Sequence, residues 1–100
     1  MKRICFNGVY WTVAFVDRNS SFLIDRSGRH TYGTTDISDK TVYIDNTLRE
    51  PLLSRVLLHE LTHCIIFSHN LCLTPDYEEF ICNFMADHSV ELIRAAKTII

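Results

Sequence analysis

VLLHELTHCIIFSH, residues 56–69, sets two histidines four apart inside an otherwise apolar run. Four residues is just over one helical turn, so on a helix His59 and His63 share a face, with Cβ atoms about 5–6 Å apart. Leu52, Leu53, Val56, Leu57 and Leu58 before them, and Leu61, Ile65 and Ile66 after, supply the apolar positions of a buried helix. Thr47-x-x-Glu50 fits a capping box, and Pro51 falls in or near the first turn, so the predicted helix covers residues 47–68. A break follows at His69-Asn70. Inside such a helix two imidazoles and the Glu60 carboxylate are costly unless partnered. A metal ion is a suitable partner, because two imidazoles so placed reach one zinc ion with bonds of about 2.0–2.1 Å. Glu60, next to His59, can then take a proton from water at the ion without ligating it. The alternative, two hydrogen-bonded core histidines, fits the uncharged flanks less well.

A zinc site needs a third ligand. His69 lies ten residues beyond His59, the spacing of the H-E-x-x-H-x-x-G-x-x-H peptidases, the metzincins. The glycine there ends the helix in a left-handed turn that swings the last histidine back to the metal. This chain has Ile66 at that position, and a β-branched residue strongly disfavours positive φ. The helix is therefore expected to continue and carry His69 about 15 Å along its axis, away from the ion. A glutamate from a following helix is the other solution. Thr74-Pro75-Asp76 starts a second predicted helix, residues 76–97, with an apolar stripe through Tyr77, Ile81, Phe84, Met85, His88 and Leu92. Glu78 falls inside the stripe and is the expected ligand. Glu79 falls at its polar edge beside Asn83, as the reserve candidate, and is expected to face water. His88 reads as a core histidine or one that supports the ligands.

Upstream, residues 2–6 and 9–16 are aromatic and β-branched and flank Asn7-Gly8, a strong hairpin signal. Residues 17–31 are polar and turn-rich. Residues 32–37 and 41–45 read as a second hairpin, in which Val42 and Ile44 point one way and Thr41, Tyr43 and Asp45 the other. The predicted fold is α+β in a single domain over residues 1–100: a small twisted, mostly antiparallel sheet from residues 1–46, packed on the two helices.

One hundred residues, 47% hydrophobic and 22% charged, suit one core. The net charge is −2 and the basic residues are scattered, so nucleic acid is not an expected partner. The opening MKRICFNGVYWTVAFV resembles a signal peptide, but Asn7, Gly8 and Thr12 interrupt it and no small-residue cleavage site follows. No stretch approaches about 20 apolar residues, so no membrane partner is expected. Cysteines 5, 64, 72 and 82 form no C-x-x-C pair and read as small core residues of a reduced, cytoplasmic protein.

YGTTDISDKTVYIDN, LLHELTHCI and YEEFICNFMADH, taken in order, resemble the small glutamate-type zincins of phages and mobile elements, the ImmA/IrrE-like metallopeptidases and the minigluzincins. The resemblance covers residues 9–97. It implies a minimal zincin core: sheet, active-site helix and glutamate helix. It also implies one zinc ion per chain, held by His59, His63 and Glu78, with Glu60 as general base. An edge strand would line the cleft and pair with extended polypeptide, a role falling on Thr41, Tyr43 and Asp45. The chain departs from the ImmA/IrrE subgroup in lacking an E-A-N-x-F-A second helix. The expected activity is peptide-bond hydrolysis by a monomer, with a polypeptide substrate or a regulatory protein as partner. A zinc-binding regulatory module without catalysis is the alternative. Tyr43, Tyr77, Tyr32 and His30 have the chemistry to stabilise a developing oxyanion, and the pattern does not choose among them.

Overall fold

Asn7 and Gly8 both take positive φ, 50° and 79°, the backbone of a two-residue hairpin turn. They join β1 (Lys2–Phe6) to β2 (Val9–Val16) in the computed structural model, which describes residues 2–100. A loop with one 3-10 turn at Ser21–Leu23 leads to β3 (Gly33–Asp36) and β4 (Thr41–Asp45), then to α1 (Leu52–Ser68) and α2 (Pro75–Ile99). The result is a small compact α+β fold, as expected: a four-stranded sheet and two helices. Sheet order is β1-β2-β4-β3. The two hairpins pair antiparallel, while β2 and β4 run parallel with Val13 opposite Val42.

That order corrects one expectation. β4 has β2 on one side and β3 on the other, so it is an inner strand with no free edge for substrate. Asp45 is buried and accepts from the Thr47 N–H and hydroxyl at 2.8 and 2.7 Å. Tyr43 stacks on Phe22 with ring centroids 4.3 Å apart. The parallel β2–β4 pairing, long-range and hidden from local pattern, displaces the edge to β3. Val42 and Ile44 do point inward, as their alternation predicts, into a core with Trp11, Val13, Leu48 and Cys64.

α1 starts at Leu52, five residues later than expected, because the Thr47 hydroxyl turns to Asp45 instead of capping. Glu50 takes over part of that role and accepts from the Ser54 N–H at 2.8 Å. The helix does run through Ile66, which is buried. Its left-handed turn comes at Asn70, φ 55°, four residues beyond the glycine position of the histidine-type pattern. His69 caps the helix and is exposed.

Ser68 fastens the end of α1 to the sheet. Its hydroxyl accepts from Trp11 Nε1–H at 2.8 Å and donates to the Cys64 carbonyl at 2.7 Å, all buried. Ser68→Ala leaves the indole N–H without that partner in a dry place. A loss of about 1–3 kcal/mol is expected, read as a lower midpoint in urea denaturation with an unchanged slope.

α2 is capped by Thr74, whose hydroxyl accepts from the Tyr77 N–H. Its buried residues are Cys82 and Ser89, with Glu78, Ile81 and Ala86 half-buried. The stripe expected from large apolar residues is therefore misplaced: Tyr77, Phe84, Met85, His88 and Leu92 are exposed. Small side chains at 82, 86 and 89 make the face that packs on α1. Every residue from Val90 to Ile100 is exposed. Among the described residues no helix is long and apolar enough to cross a membrane. All four cysteines are free; Cys64 and Cys82 are buried, whereas Cys5 and Cys72, expected inside, are exposed.

Candidate metal centre

α1 and α2 bring the site together, with β3 forming one wall. His59 and His63 sit one turn apart with ring centroids 5.0 Å apart, so the helical spacing read from sequence does produce a facing pair. Both rings border an open cleft of about 990 Å3, which Glu60, Glu78, Glu79, Thr35, Tyr32 and Tyr43 also line. Tyr77 and His30 are exposed, and neither borders the cleft.

The carboxylates of α2 divide their work in a way the sequence did not reveal. Glu79 presents one oxygen to His63 Nε2 at 3.1 Å and the other to His59 Nε2 at 3.5 Å. Two ligands on a tetrahedral ion with bonds of about 2.0–2.1 Å stand about 3.3–3.4 Å apart, so these spacings fit donors facing a common centre. Glu78 instead meets the other side of the ring, with Oε2 2.5 Å from His63 Nδ1. A carboxylate on Nδ1 fixes the tautomer that leaves Nε2 free to ligate. So Glu78, the expected ligand, meets His63 at Nδ1, while Glu79, the reserve candidate, faces the Nε2 atoms of both histidines. The two differ in depth. The Glu78 side chain is 28% exposed and wedged between the helices, whereas that of Glu79 is 54% exposed at the cleft mouth, in reach of both Nε2 atoms.

Cys82 joins them from below. Donor atoms of His59, His63 and Cys82 lie within 4.8 Å of one another, close enough to hold a metal ion. The thiol is fully buried, and burial, then the charges of Glu79, Glu78 and Glu60, pushes it up to about 12. Sequence reasoning treated Cys82 as packing. Its position three residues after Glu79 was the available signal, since i and i+3 share a helix face.

Glu60 is buried next to His59, and its Oε1 accepts from the Thr35 hydroxyl at 2.8 Å. Burial raises its carboxyl above the usual range, while Thr35 and then the two imidazoles pull it down. Thr35 belongs to β3, which lies hard against α1. A Cβ on Gly33 would stand 2.8 Å from Val56 Cγ1 and 3.2 Å from Glu60 Cγ, so only glycine permits this approach. The outer side of β3 has no partner strand and faces the cleft.

His69 lies apart from these groups, outside the cleft lining. No family model, curated protein or solved structure matches the chain.

Proposed function

We propose that the chain is a zinc-dependent peptidase acting on extended polypeptide. One observation carries it: Glu79 faces the Nε2 atoms of both His59 and His63 while Glu60, no part of that trio, is held beside them by Thr35. Zinc bound there would acidify water and polarise a peptide carbonyl. In this reading Glu60 accepts the proton of an attacking water and passes it to the leaving amine. Thr35 keeps that carboxylate aimed, and Glu78 keeps the His63 ring oriented. β3, not β4, offers main-chain groups along the cleft, to which a substrate strand can add by β-augmentation.

A metal-binding module without catalysis is the second reading, favoured by Cys82, because a fourth protein donor closes a site as in structural zinc centres. Glu60 beside the two histidines supports the peptidase, since a structural site has no use for a general base.

The gently purified protein is expected to carry about one zinc per chain by mass spectrometry. Only the folded state offers this site, so binding stabilises the fold by about 2.7 kcal/mol at free zinc 100-fold above Kd. For a chain of this size that corresponds to a melting temperature higher by about 10 °C or more than after chelation. A protein free of any transition metal, whose melting ignores added zinc, would contradict the proposal.

A further inference from the structure

We propose that Cys82 is itself a metal ligand, giving the centre a resting form closed by two imidazoles, a carboxylate and a thiolate. The inference rests on the metal site proposed above and adds a donor to it. Two features distinguish Cys82 from an ordinary core cysteine. First, its sulfur and one ring nitrogen of each histidine all lie within 4.8 Å of one another. A nitrogen and a sulfur on one tetrahedral ion stand about 3.6 Å apart, so closure takes a movement of ~1 Å. Second, its neighbours differ from those of the other buried cysteine. Cys64, one residue after His63, packs in the apolar core with Trp11 and Val13. Cys82 instead lies beside ring nitrogens of His59 and His63. A fully buried thiol next to two imidazoles can serve a cation as a third donor.

The two α2 donors differ in exposure, Glu79 being exposed and Cys82 buried. On binding, the S–H bond breaks, its electron pair forms the bond to the ion, and the proton leaves to solvent. With four protein donors in place, no position is left for water or substrate. One opens when a donor withdraws, and exposed Glu79 is the freer of the two. A thiolate also tilts the site toward zinc and cobalt over manganese and magnesium.

Cobalt(II) titration of the full chain tests this. The wild-type protein is expected to bind one cobalt and show a near-ultraviolet sulfur-to-cobalt charge-transfer band. That band should vanish in Cys82→Ser and persist in Cys64→Ser and in the Cys5→Ser/Cys72→Ser double variant. Should Cys82→Ser fold poorly, Cys82→Ala replaces it, and a wild-type protein without the band decides against the inference by itself. Stoichiometric cobalt without the band overturns the inference and leaves the His-His-Glu centre standing, as does a band that follows Cys64 instead. A wild-type protein that takes up no cobalt overturns the metal centre and this inference together.

Discussion

Glu60→Gln is expected to slow peptide cleavage by about 10²–10⁴, the usual weight of a general base. Zinc content and melting temperature should stay near wild type. Glutamine is nearly the same size, and its amide oxygen can still accept from the Thr35 hydroxyl that Glu60 Oε1 meets at 2.8 Å. The substitution removes proton affinity and little else. Glu60 Oε2 stands 4.0 Å from His59 Nε2, farther than Glu79 from either Nε2 atom, and Glu60 is outside the thiol cluster, so its loss should change metal affinity little. Initial rates on an unfolded protein, with both proteins loaded to equal zinc, give the comparison. Equal rates would remove Glu60 from the chemistry.

Glu79→Ala is expected to weaken zinc binding by about 100-fold or more, because a charged ligand facing both imidazoles is lost. Glu78→Ala should cost less, about tenfold, within the usual range for a group that orients a metal-bound histidine. His69→Ala should change nothing measurable, since α1 carries that residue past the cleft. Competition titrations against a zinc-binding dye rank the three. The ordering matters more than the magnitudes: a larger loss for Glu78 than for Glu79 would reverse the two roles.

Local patterning made much of this molecule legible, and it failed where a distant partner decides. The Asn7-Gly8 hairpin, the inward Val42 and Ile44, and the His59–His63 face all depend on short-range periodicity, and all form. Ile66 allowed the helix to be followed past the point where a glycine would have turned it. The edge strand was misassigned because the parallel pairing of β2 with β4 joins residues about thirty apart and leaves no local trace. α2 was phased on its largest apolar residues, whereas its packed face uses Cys82, Ala86 and Ser89, small enough for close helix approach. That same phasing drew attention to Glu78 and away from Glu79. Glu79 is exposed at the cleft, where burial gives no sequence signal. Thr35 and Gly33 escaped notice because their importance lies in what α1 brings against them.

The most direct measurement is cleavage of an unfolded protein by the zinc-loaded chain, mapped by mass spectrometry before chelation, after it, and after zinc is restored. New internal cuts that disappear with the chelator, return with zinc and are nearly absent with Glu60→Gln are the expected result. A fully zinc-loaded protein that makes no cuts, or cuts that survive chelation, would contradict the account.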